Sequence, residues 1–269
     1  GGSDTVFVVG GEGSVDRFKG VLASVKIIGS ALTAGEVQAE YAGTIGDLEA
    51  TTKHTTAHSP IALWQFEDNL DDIAGNDYHL SLGTGTERYT ELAPGLRGAL
   101  LDGGTILSRV YTAALLNTGN LTIECGFVPG VWTNTEDLVR FGGGTGQANN
   151  AAYALRVVGQ QHSLSYLAEY GSSTPKTTST YSVNDGLMVG TLYHLAMRRE
   201  SQQITFFING RKIGSTSATL TAPDGGTSGL MRIGYSGSEV VGGITSVKII
   251  GSALTDNEIK TEADAFFSV

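Results

Sequence analysis

The chain has 269 residues, a formal net charge of −10 and 40% hydrophobic residues, enough apolar mass for a packed core and too much for a disordered chain. Its 17 basic residues against 27 acidic ones are scattered, which argues against nucleic acid, because phosphate binding needs grouped Lys and Arg. No apolar run reaches the roughly 18 residues that span a bilayer, and a single cysteine, Cys125, leaves no intrachain disulfide.

The 38 glycines and 5 prolines follow no G-X-Y period, so they read as turns between many short strands. A core of this size does without disulfide staples, so the cysteine count fits an extracellular site without requiring one. The chain begins at Gly1 and shows no signal peptide, the expectation for a processed or partial product of a longer precursor.

In chain order, Thr5–Val9 (TVFVV) and Val21–Ile28 (VLASVKII) read as strands. Ser24–Thr33 spells SVKIIGSALT, and Ser246–Thr255 spells it again, ten identical positions 222 residues later. Each copy is followed by T-x-x-E, Thr33 to Glu36 and Thr255 to Glu258. That is a capping box, in which Thr and Glu satisfy each other's backbone amides, so a short helix is expected near Glu36–Tyr41 and Glu258–Ala263. The repeat divides the chain into residues 1–43, the last strands and helical turn of a preceding, truncated module; a polar, Thr-rich linker over 44–59; and a complete module over 60–269. The alternative is one domain with two similar edge strands.

The complete module opens with IALWQF (Ile61–Phe66), then the turn chemistry of Asp68–Asp77, where Asp and Asn bond their own backbone and Gly75 allows positive φ. Leu121–Val128 (LTIECGFV) alternates Leu, Ile, Cys and Phe on one face, which places Cys125 in a tight core rather than in a reactive setting. Asp137–Phe141 and Tyr153–Val158 flank a Gly-rich hairpin, and a strand over Leu164–Tyr170 follows. Gly190–Arg198 and Gln203–Ile208 are joined by a polar turn, Arg199 to Gln202. Asn209-Gly210 predicts a type I′ hairpin into RKIGS. Met231–Gly234 and Gly243–Ile250 close the set. Many short strands and little helix make an all-β, two-sheet antiparallel jelly-roll sandwich.

Three blocks carry a resemblance. W-x-F-E-x-N-L-D-D-x-x-G-N (Trp64–Asn76), L-T-I-E-C-G-F (Leu121–Phe127), and the run from Asn184 through I-T-F-F-I-N-G to G-I-T-S-V-K-I-x-x-x-A-L-T-x-x-E-I (ending at Ile259) resemble the laminin-G/pentraxin branch of the concanavalin A-like lectin/glucanase superfamily. The resemblance implies a curved sandwich that binds ligands at rim loops. Glucanases of this fold use an E-x-D-x-x-E strand, whose carboxylates serve as nucleophile and acid. Here Glu262-Ala263-Asp264 is followed by Phe267 and falls in the helical tail, so the chain is expected not to be an enzyme. None of the five histidines forms a metal pair of the H-E-x-x-H kind, and His194 reads as a packing residue.

The resemblance implies a calcium site whose matching positions here are Asn149, Asn150 and Glu239. With a single acid among them the site is weak, and the alternative is a pair of turn asparagines. No other cofactor is expected. For sugar, Trp132 and then Tyr170 are the aromatic candidates, with Asn149 and Asn150 as polar neighbours; the alternative is aromatics folded back over the sandwich edge. The role that follows is a non-catalytic module of a tandem-repeat surface protein, extracellular or on a cell or virion surface, serving assembly or adhesion. Its partners would be other copies of itself or neighbouring surface proteins. The second reading is a lectin module of a larger secreted protein.

Overall fold

The computed structural model describes residues 58–110, 112, 115, 119–131, 135–142, 151–158, 163–168, 177–181, 187–217, 230–235 and 240–268. The N-terminal copy of the repeat, residues 1–43, and most of the linker lie outside the described residues, as do Trp132, Tyr170, Asn149, Asn150 and Glu239.

The described residues form fifteen strands and one helix. The strands are β1 (Ala62–Gln65), β2 (Ser81–Thr84), β3 (Tyr89–Ala93), β4 (Leu96–Asp102), β5 (Ile106–Val110), β6 (Leu121–Pro129), β7 (Thr135–Gly142), β8 (Ala151–Val158), β9 (Ser163–Ala168), β10 (Thr177–Tyr181), β11 (Tyr193–Glu200), β12 (Gln203–Ile208), β13 (Arg211–Ser217), β14 (Leu230–Tyr235) and β15 (Val241–Ile250). The helix is α1 (Asp256–Phe267). One antiparallel sheet orders β13-β12-β11-β6-β15-β4-β3, with β1 also paired to β15; the other orders β10-β9-β8-β7-β14-β5-β2. This is the expected jelly-roll sandwich.

Period-2 alternation aims one face of each strand into the space between the sheets. Ile123, Cys125 and Phe127 of β6, Val247 and Ile249 of β15, Val139 and Phe141 of β7, and Met231 and Ile233 of β14 fill that space and are all buried. Cys125 is a core residue, and burial pushes its thiol above the ordinary range, which leaves it inert.

Several local expectations hold. Asn209 and Gly210 take φ of 51° and 72°, as a type I′ turn requires. Thr255 caps α1 with the full reciprocal box to Glu258. The opening motif is a backbone knot: buried Asp72 accepts from the amides of Leu63, Ala74 and Tyr78 at 2.9–3.0 Å, while the Trp64 indole donates to the Tyr78 carbonyl at 2.7 Å.

Others are corrected. The segment 81–110 holds four strands, β2 to β5, that its Gly- and Thr-rich sequence does not announce; they are recruited by β15 and β14 through pairing. Strand β11 begins at Tyr193 rather than Gly190, because Gly190 turns with φ of 74° and donates to the Pro129 carbonyl. It runs through Glu200, so the turn is the pair Ser201-Gln202, with Ser201 at φ 52°. Helix α1 has 12 residues, about twice the expected length, because Ala196 of β11, Phe207 of β12 and Ile250 of β15 offer it an apolar floor.

Candidate functional site

Helix α1 closes the outer face of the larger sheet. Ala196, Phe207 and Ile250 from the sheet pack with Leu254 and Ile259 as a second small core. Glycines let the helix sit close: a Cβ on Gly126 would fall 2.0 Å from Thr245 Oγ1 and 2.7 Å from the Phe266 ring, and one on Gly210 would lie 2.9 Å from Lys260 Cα and 3.0 Å from Ala263 Cβ.

Beneath the helix lies a buried charged cluster that sequence reading missed. Glu124 of β6, His194 of β11, Lys248 of β15 and Glu262 of α1 are all buried. Lys248 Nζ is 2.6 Å from Glu262 Oε2 and 3.6 Å from Glu124 Oε2, and His194 Nε2 is 4.0 Å from the same Glu124 oxygen. Burial pushes the Glu124 carboxyl up to about 8, against the pull of Lys248 and with the help of Glu262. The geometry pairs Lys248 with Glu262, and burial disfavours the charged form of Glu124 beside them. His194 also packs on Phe266, with ring centroids 5.4 Å apart, the packing role expected for it. The signal was present in LTIECGF, as a Glu alternating with core residues in a central strand.

The outer face of the smaller sheet differs. Its central strands alternate core residues with Arg140 of β7, Arg156 of β8 and Arg232 of β14, so three guanidinium groups lie on three adjacent strands. Arg232 stands directly across from Arg140, and Asp137 across from Arg156. Asp137 is fully buried; its carboxylate accepts from Arg140 Nη1 at 2.8 Å and from Arg156 Nε. This polar stripe sits on the sheet that does not carry α1, and Asp137 and Arg140 are buried within it.

The rims are set by strand register. Val131, Met188 and Val189 are 55%, 63% and 57% exposed. They are gathered at one end by the bond from Gly190 N to Pro129 O at 2.8 Å and by the Tyr193 hydroxyl, which accepts from Met188 N at 2.8 Å. Three large apolar side chains exposed together are a feature worth an explanation, and Trp132 follows Val131 in sequence. The apolar LMV between glycines Gly186 and Gly190 was the overlooked sign.

The calcium positions Asn149, Asn150 and Glu239 lie outside the described residues. Among the described residues no group of His, Cys, Asp and Glu could hold a metal ion.

The carboxylates considered for glycoside chemistry are placed by α1. Glu262 is the buried partner of Lys248, and Asp264 is exposed and paired with Lys260.

No curated protein sequence matches the chain. Its fold is similar to a botulinum neurotoxin DC binding domain solved with rat synaptotagmin II (TM-score 0.60, 13% identity, 77% of this chain and 51% of that one). It is also similar to domain 4 of AbnA, a GH43 extracellular arabinanase from Geobacillus stearothermophilus, solved with arabinotriose (TM-score 0.55, 16% identity, 77% and 98%). A third is the botulinum neurotoxin type C structure described with two ganglioside molecules (TM-score 0.58, 11% identity, 77% and 51%). The chain spans about half the length of the toxin chains it matches, and identities this low speak for the fold alone. A laminin-G family model, described as the concanavalin A-like lectin/glucanases superfamily, matches residues 102–260, more than half of the sequence, and the chain belongs to that family.

Proposed function

We propose that the chain is a non-catalytic laminin-G-like module of a tandem-repeat surface protein, extracellular and serving adhesion or assembly. The observation that carries this reading is the decapeptide SVKIIGSALT at Ser24–Thr33 and Ser246–Thr255, a duplication of the segment that forms the central strand and helix cap of the described module. Stacked copies of one fold present the same binding surface repeatedly, the usual design of adhesive arrays.

Two placements favour a non-enzyme. Glu124 and Asp137, the acids on the central strands, lie on opposite outer faces of the sandwich. Sheets pack about 10 Å apart, so these groups are separated by more than the roughly 5–9.5 Å that glycosidase carboxylates span. Asp137 is also held by Arg140 and Arg156.

A second reading, sugar binding, is favoured by the arginine stripe and by the similar folds solved with arabinotriose or described with gangliosides. Arg140 and Arg156 are held by Asp137, so Arg232 is the arginine to vary, and acid-bearing oligosaccharides are the class to try first. The test is a glycan array with the full chain and with Arg232→Gln. Binding of acidic glycans that falls about tenfold in the variant, with an unchanged melting temperature, supports the lectin reading. No binding to any sugar leaves the assembly role. Release of reducing sugar from a polysaccharide would overturn the non-enzyme reading.

A further inference from the structure

The structure assigns a role to each residue of the second copy of the repeat, and those roles can be carried to the first. In β15, Val247 and Ile249 point into the main core, while Lys248 and Ile250 point to the helix. Leu254 enters the small core under α1 and Thr255 caps it. Val25, Lys26, Ile27, Ile28, Leu32 and Thr33 repeat these residues at the same spacing.

The correspondence runs on past the identical block. Glu36 stands where Glu258 completes the capping box, Val37 where Ile259 is buried, and Glu40 where Glu262 meets Lys248. Both members of the buried pair recur in the first copy, as Lys26 and Glu40, at the sequence separation of Lys248 and Glu262. A buried charge is costly without its partner, so keeping both members points to the same buried setting. Chance retention of a lone lysine or glutamate would carry no such meaning.

Three of the differences between the copies fall on the contacts between helix and floor. Tyr41 replaces Ala263, which is buried against the Gly210 turn. Thr44 replaces Phe266, the ring over Gly126 and beside His194. Ala34 replaces Asp256, the partner of Arg198 at 2.7 Å. Overfilling a closed contact forces neighbours apart. The first copy keeps the residues of the charged pair and of the capping box, and carries other residues at three positions that contact the floor in this module. In this module that place is also taken, since β15 is paired by β6 on one flank and by β4 and β1 on the other.

We infer that residues 21–42 are a strand-and-helix closing unit for a second jelly roll of the same fold, one with more room than this module where Tyr41 lies, and that Lys26 and Glu40 form its buried pair. The partner surface is a sandwich whose own last strand position is open, filled by strand addition. This rests on the tandem-module reading above and sharpens it: the two copies are matched to different acceptors and are not interchangeable.

The test grafts residues 24–44 in place of 246–266 in the full chain, once unaltered and once with Tyr41→Ala, Ala34→Asp and Thr44→Phe. Melting followed by near-UV circular dichroism is the readout. The corrected graft should unfold cooperatively within about 5 °C of the parent, and the unaltered graft should melt about 10 °C lower or more. Failure of both grafts to fold would show that the two segments are not the same closing unit. An unaltered graft as stable as the parent would show that the first copy fits this module and needs no separate acceptor. Neither result depends on sugar binding or adhesion, so this inference and the functional reading fail separately.

Discussion

The two outer faces of the sandwich are built from the same kind of strand and use charge in opposite ways. On the larger sheet, Lys248, Glu262, Glu124 and His194 meet under α1, away from water. On the smaller sheet, Arg140, Arg156 and Arg232 spread over three adjacent strands around Asp137, with no described helix above them. A cluster sealed under a helix serves the fold, and its groups are seen in the effect of substitutions on stability. The arginines on the smaller sheet surround a single carboxylate, and Arg232, half-buried across from Arg140, is the member to test in binding. The difference teaches that a buried ionisable cluster is not by itself a functional site.

The largest expected effect lies under the helix. Lys248→Met leaves Glu262 buried without its ammonium partner and should cost about 3–5 kcal/mol in denaturant unfolding. Combining it with Glu262→Leu should recover most of that loss, because two packed apolar groups replace two desolvated charges. A single variant as stable as the parent would mean that water reaches the pair. By contrast, Arg232→Gln on the other face should leave stability within about 0.5 kcal/mol.

Gly126→Ala comes next. The added methyl must displace Thr245 or the Phe266 ring, so a loss of about 2 kcal/mol is expected, measured by urea titration. A neutral result would show that the helix floats above the sheet.

Glu124→Gln sharpens the comparison through pH. The Glu124 carboxyl sits near 8 in the fold against 4.5 ordinarily. Between those values the folded chain holds a proton that the unfolded chain has released, so stability falls as pH rises across that window. The variant lacks this dependence. It should gain on the parent by several degrees of melting temperature at pH 8 relative to pH 5, and parallel curves would place Glu124 in water. The smallest effect is that of Thr255→Ala, about 1 kcal/mol from loss of the cap. The Glu258 carboxyl, held down to about 2 by its bonds to Thr255 and by His58, should titrate closer to its ordinary value in that variant, as followed by NMR.

Much of this molecule was legible because its signals are local. The alternation in LTIECGFV, the Asn209-Gly210 turn, the T-x-x-E box and the Asp-rich opening turn each act over a few residues, and each took the form expected. The family resemblance, built from the same blocks, led to the right fold. The strands over 81–110 were not legible, since β5 and β4 are held by β14 and β15, far along the chain, and β2 and β3 pair onto them.

By itself, the sequence determined the fold class, the hairpins, the helix cap and the duplication, because period, turn chemistry and identity are properties of neighbouring residues. Only the tertiary structure decided that Glu124, a residue in the middle of a strand, is a buried acid facing Lys248, and that Arg140, Arg156 and Arg232 share one face. Those relations depend on register between strands distant in sequence, and a one-residue slip in any pairing would turn every one of these side chains to the other face.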